Sequence, residues 1–195
     1  MPRLLPIAAI VIALLAGAAP SAPAAAQEKF DMIALSCGEL LEGHDQGQKQ
    51  ADEAKGPLYW FAGYYSPEEQ STVVDRTAIE TDIAKIIAQC REQPKIGVMT
   101  TAAKFMGKNA TAPGSDAEDL AILTCKKMVE VNKSGTASEK FNATAGLLWL
   151  LGRHANRNET TVFGGWATSM EKYCAENPEM SLVTMLKVMV SEVGK

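Results

Sequence analysis

Apolar residues along this chain fall into short helical stripes. Behind Ser36, the side chains of Cys37, Leu40 and Leu41 share one face, and Glu39 stands three residues after Ser36, the spacing of a capping box. A second apolar segment runs through Leu58, Trp60 and Phe61 and stops near Gly63. The clearest stripe is Ile79, Ile83, Ile86, Ile87 and Cys90, which recur at i, i+4, i+7, i+8 and i+11 of one amphipathic helix. Beyond Pro94, Met99, Ala102, Ala103 and Met106 mark a fourth helix. Between the second and third, "SPEE" offers Ser66 as an N-cap, Pro67 at the first helical position and Glu69 three residues after the cap, which predicts a short helix or turn start.

The same landmarks then recur in the same order. A shift of 88 residues pairs "LSCGELLE" from Leu35 with "LTCKKMVE" from Leu123. A shift of 89 pairs Leu58, Trp60 and Gly63 with Leu147, Trp149 and Gly152, and a shift of 84 pairs "CREQP" from Cys90 with "CAENP" from Cys174. Phe163, Trp166, Ala167, Met170, Tyr173 and Cys174 form the second third-helix stripe, and Leu182, Met185, Leu186 and Met189 the second fourth-helix stripe. Ordered landmarks with nearly constant offset read as a tandem duplication. The expected fold is all-α: two tandem small orthogonal helical domains of about four helices, each stapled by one disulfide. "NATAPGSD" is the small, polar, Pro/Gly-containing stretch between the units. The units are therefore placed at 27–108 and 118–195, with a linker at 109–117.

The first 26 residues read differently. Arg3 is followed by an apolar run from Leu4 to Gly17 and a small-residue tail with an A-x-A site before Gln27, the pattern of a cleaved secretory signal peptide. The run is too short for an ordinary membrane-spanning helix, so an exported protein without stable membrane insertion is expected. Removing the signal leaves 18 Lys and Arg against 23 Asp and Glu, a charge of −5 with both His neutral. Nucleic acid and anionic membrane both require a basic face, and are disfavoured as partners.

An exported chain with four cysteines implies a disulfide framework. Three pairings are possible. The duplication favours Cys37 with Cys90 and Cys125 with Cys174, one bond per unit. No C-x-x-C spacing occurs, so neither structural zinc nor thioredoxin-like chemistry is expected, and no metal or cofactor is assigned.

These residues together resemble the HdeA/HdeB family of periplasmic acid-stress chaperones. The resemblance rests on a signal peptide, a Cys opening a short helix, "WFAGYY", "VVD" before an amphipathic helix, and a second Cys followed by Pro. The stretch from Met32 to Lys108 carries every landmark. The second unit keeps both Cys, the Trp, the Gly and the Pro, but lacks "VVD" and has Arg153 and His154 where the first has Tyr64 and Tyr65.

The resemblance implies small helical domains with one internal disulfide, which dimerise at neutral pH and in acid bind unfolding clients through exposed apolar surface. The charge fits: neutralising the 23 acids while 18 Lys and Arg and two His stay charged takes the mature chain from −5 to about +20. Trp60, Phe61, Leu147, Leu148, Trp149 and Leu150 are the candidate client-binding or interface residues, and unfolding or acid-denatured periplasmic proteins the candidate partners. Two units on one chain are expected to form an internal pseudo-dimer.

Enzymatic chemistry finds no foothold. G-x-S-x-G and glycine-rich phosphate loops are absent, and His44 and His154 are the only histidines. His44–Asp45 is a lone dipeptide in a polar loop, Gly164–Gly165 a turn, and "RHANR" from Arg153 a small solvated basic cluster. The N-x-T triplets at Asn109, Asn142 and Asn158 carry meaning only in a glycosylating host. The competing function is a disulfide-stapled inhibitor or immunity-type module that binds one folded partner at neutral pH.

Overall fold

The computed structural model describes residues 32–66, 72–107, 117–154 and 166–193. Among these are eight α-helices: α1 (Cys37–His44), α2 (Gln48–Tyr64), α3 (Arg76–Glu92), α4 (Val98–Phe105), α5 (Cys125–Ser134), α6 (Ala137–His154), α7 (Trp166–Glu176) and α8 (Leu182–Val193). Two short strands, β1 (Val73–Asp75) and β2 (Ala117–Asp119), complete it, with a 3-10 turn at Leu120–Ile122. The fold is predominantly helical, as the stripes predict. The predicted signal peptide, Pro67 to Glu69, residues 109–116 of the predicted linker, Phe163 and Gly164–Gly165 lie outside the described residues, as do Asn109, Asn158 and the end of the "RHANR" cluster.

Each four-helix half is closed in the same way. In the first, the N–H groups of Cys37 and Gly38, left without partners at the start of α1, donate to the carbonyls of Ile96 (2.9 Å) and Pro94 (2.8 Å), and Val98 N–H donates back to Leu35 (2.9 Å). In the second, Cys125 and Lys126 donate to Met180 (3.0 Å) and Pro178 (2.8 Å), and Leu182 donates to Leu123 (2.8 Å). The Pro after the second Cys therefore ends one helix and supplies a carbonyl that caps another. Side chains cap the same helices. Ser36 and Glu39 form the predicted capping box of α1, and the Thr124 hydroxyl accepts from Lys127 N–H on α5.

Disulfides Cys37–Cys90 and Cys125–Cys174 fasten the first helix of each half to the third. They span sequence separations of 53 and 49, loops whose closure is worth about 4 kcal/mol each in the chain-entropy model. The third-helix stripe of the first half is buried at Ile83, Ile86, Ile87 and Cys90, and the fourth-helix stripe of the second at Leu182, Met185, Leu186 and Met189. On α4 the inward face is turned slightly from the predicted one. Val98, Thr101 and Ala102 are buried while Ala103 is exposed, because the Thr101 hydroxyl sits 3.7 Å from Cys37 Sγ beside the disulfide. Met185 takes the matching place in the second half, with its sulfur 3.8 Å from Cys125 Sγ and 3.5 Å from Cys174 Sγ.

The two halves meet along α2 and α6. Along this crossing the Tyr59 ring meets Phe141 edge-on at 5.9 Å, Gly56 faces Leu148, Trp60 faces Gly152 and Gly63 faces Trp149. At the last two the backbones touch. A Cβ on Gly63 would lie 1.8 Å from the Trp149 carbonyl oxygen, and one on Gly152 would lie 1.9 Å from that of Trp60. Leu-x-Trp-x-x-Gly thus occurs twice because each copy's glycine is the space into which the other copy's tryptophan carbonyl fits.

Gly63→Ala should cost about 2–3 kcal/mol in denaturant unfolding, since the helices must part to admit a methyl group. Gly43→Ala, whose new Cβ would meet only Ala54 Cβ at 3.4 Å, should be neutral or slightly stabilising. Equal stability of the two variants would contradict the backbone contact.

Candidate functional site

The residues predicted to bind clients are brought together by the α2–α6 crossing, and the folded chain covers them. Trp60, Phe61, Leu148, Trp149 and Leu150 are buried, and Leu147 is half-buried against the same core. Trp60 stacks on Tyr64 at 5.1 Å and meets Phe61 edge-on at 5.2 Å, while the Arg153 guanidinium lies 5.4 Å above Trp149. One continuous core runs through both halves. Binding through this surface therefore requires α2 and α6 to part.

What holds them beyond apolar contact is a polar joint at one edge of the crossing. β1 and β2 pair antiparallel, Val73 opposite Asp119, Val74 opposite Glu118 and Asp75 opposite Ala117. Just outside the pairing, Thr72 donates its hydroxyl to Asp119 Oδ1 at 2.6 Å and accepts at its carbonyl from Leu120 N–H at 3.0 Å. Arg76, the first residue of α3, donates through Nε to Glu118 at 3.0 Å and through Nη2 to the same carboxylate and to the carbonyl of Asn142 on α6 (2.9 Å). One arginine thus ties the first half to both β2 and α6. Asp75, the last residue of "VVD", caps α3 by accepting from Ala78 N–H, which fixes where Arg76 begins the helix.

Asp119 accepts its hydrogen bonds most strongly as the anion. The Thr72 hydroxyl foremost, then Ala121 N–H, hold Asp119 below its ordinary value. The folded state therefore binds this proton less tightly than the unfolded chain. Its contribution is complete above the ordinary carboxylate range and is lost as pH falls through the lowered value. Glu118 is the counter-charge of Arg76, whose side chain is only 18% exposed.

Sequence reading found the apolar seam and missed the joint. Thr72, Arg76, Glu118 and Asp119 carry no motif, Asn142 stood out only as the start of an N-x-T triplet, and "VVD" was legible only as the approach to a helix. His44 closes α1, its Nδ1 lying 3.0 Å from Asp45 Oδ1, and Arg91 reaches the same carboxylate at 3.0 Å, a surface contact of the first half. Among the described residues no group of His, Cys, Asp or Glu is placed to hold a metal ion, and no helix is long and apolar enough to cross a membrane.

A seam of aromatic and aliphatic side chains edged by ionisable contacts, within disulfide-stapled helical halves, defines a small helical protein whose apolar surface is covered by the packing of its two halves. The HdeA/HdeB family model matches residues 5–100, and through this part of its length the chain belongs to that family. The match takes in α1 to α3, β1 and the start of α4. No curated protein and no solved structure matches the chain.

Glu118→Gln should lower stability at neutral pH by about 1 kcal/mol, as expected for a partly exposed charged hydrogen bond. Asp119→Asn should destabilise at pH 7 and match the parent chain near pH 2, flattening stability against pH across the carboxylate range. Denaturant unfolding at several pH values reads both effects; an unchanged pH profile in the double variant would remove the joint as an acid-labile contact.

Proposed function

We propose that this chain is an ATP-independent acid-stress chaperone of the periplasm, which binds unfolding proteins through the α2–α6 seam when acid parts its two halves. The observation that carries this reading is the burial of the candidate binding residues beneath a joint built on ionised Glu118 and Asp119. Acid acts on the whole chain in the same direction, since its charge passes from −5 to about +20 and like charges repel across any docked surface. The disulfides lie within the halves, so local helical structure survives the parting. Membership in the HdeA/HdeB family supports both the activity and the compartment.

In this reading the two halves are duplicated units forming an internal pseudo-dimer. The connection between them keeps their effective concentration near the millimolar range, so parting is independent of protein concentration. The mature chain should sediment as a monomer at neutral pH; a stable dimer of full chains would sink the pseudo-dimer.

The activity is tested by light scattering of an acid-labile client at about pH 2–3, with the oxidised mature protein added and a neutral-pH control. Suppression of aggregation in acid alone is the expected result. Aggregation unchanged by excess protein would overturn the chaperone reading and favour a module that binds one folded partner at neutral pH.

A further inference from the structure

From Ala117 onward the stretch that joins the halves is docked on both of them. β2 pairs with β1 of the first half, and the 3-10 turn that follows is capped by Asp119, whose Oδ1 accepts from Ala121 N–H at 2.9 Å. Leu120 opens that turn and is fully buried, while Ala121 and Ile122 beside it are exposed. Its backbone and its side chain are held by different halves. The N–H donates to the Thr72 carbonyl just ahead of β1 (3.0 Å), whereas the methyl groups lie on Gly146 of α6 and the turn packs on α8.

Gly146 admits that side chain. A Cβ built there would stand 3.1 and 3.8 Å from the two Leu120 methyl carbons and 3.7 Å from Arg76 Nη2, so one missing side chain makes room for both the leucine and the arginine of the joint. At a shift of 89 residues the first unit has Pro57 in this place, so the seat is not part of the repeated pattern. It belongs to the connection between the halves.

We infer that Leu120 is the pin that keeps the α2–α6 seam shut: its backbone is bonded to the first half and its side chain is seated on the second, so the helices part only when one of these holds is broken. The connection is then a strap across the seam as well as a tether. Shortening the Leu120 side chain empties its seat on Gly146 and leaves the strap fastened to the first half alone. Such a chain uncovers Trp60, Phe61 and Trp149 without acid. The inference adds a positioning residue to the proposed opening of the seam and rests on that reading, but the hold itself is measured with no client present.

Hydroxyl-radical footprinting of the oxidised mature protein at neutral pH, read residue by residue by mass spectrometry, tests it. Leu120→Ala should raise oxidation of Trp60, Phe61 and Trp149 about threefold or more, while Phe105 on α4 and Tyr173 on α7 keep the parent rate. Gly146→Ala crowds Leu120 in the parent chain but fills vacated room in Leu120→Ala, so it should lower seam oxidation only in the second background. An unchanged seam in Leu120→Ala, a rise shared equally by Phe105 and Tyr173, or a Gly146→Ala effect of the same size and sign in both backgrounds would overturn the inference. If Leu120→Ala does not fold, Leu120→Val is read in its place against the same three outcomes. Client scattering with Leu120→Ala at neutral pH then tests the chaperone reading separately: an opened seam that leaves aggregation unchanged would overturn capture through the seam and leave the pin standing.

Discussion

Two carbonyl groups and two missing side chains set the architecture. The Trp60 carbonyl rests on Gly152 and the Trp149 carbonyl on Gly63, so α2 and α6 approach until their backbones touch. Any residue with a Cβ at either position would hold the helices apart at this crossing. That closeness in turn positions the rest: it brings the two tryptophans into one core, sets the Tyr59 ring against Phe141, and carries α6 near enough for Arg76 to reach the Asn142 carbonyl. The polar joint is therefore a dependent of the glycine contact. It adds ionisable contacts to an approach that apolar packing and fit already define.

What was legible in the sequence was local. The capping box at Ser36 and Glu39, the isoleucine stripe of α3 and the Leu/Met stripe of α8 each depend on residues within a few positions of one another, and each stands where its spacing puts it. The α2 helix was read too short. Gly56 and Pro57 look like a break, yet the helix runs from Gln48 through both, because that stretch is buried against α6 and tertiary packing overrides propensity. Thr101 was passed over on α4 because a hydroxyl counts as polar in a stripe, although it bonds to the Gly97 carbonyl within its own turn and is free to face the disulfide. Ser66, read as opening a short helix or turn, donates its hydroxyl to the Gly63 carbonyl at the end of α2, and the residues that follow it lie outside those described.

The candidate site divides along the same line. Its apolar part was visible because Leu-x-Trp-x-x-Gly is repeated and strongly hydrophobic; the partner of each copy, the other copy, was not written in either. The polar part was invisible. Strands of three residues have no period to detect, and Arg76 and Glu118 stand 42 positions apart with nothing in between to mark them as a pair. Contacts of that kind exist only once the chain has brought its halves together.

The disulfides divide the chain in a further respect. Cys37–Cys90 and Cys125–Cys174 enclose α2 and α6 within covalent rings. A peptide bond cut anywhere inside either ring leaves both pieces joined through sulfur, and the seam helices remain attached to their own halves. Only a cut between Cys90 and Cys125 can separate one half from the other. Nicks inside either ring are therefore survivable, and the scissions that free a whole element lie outside the rings, in the stretch between the halves or after Cys174.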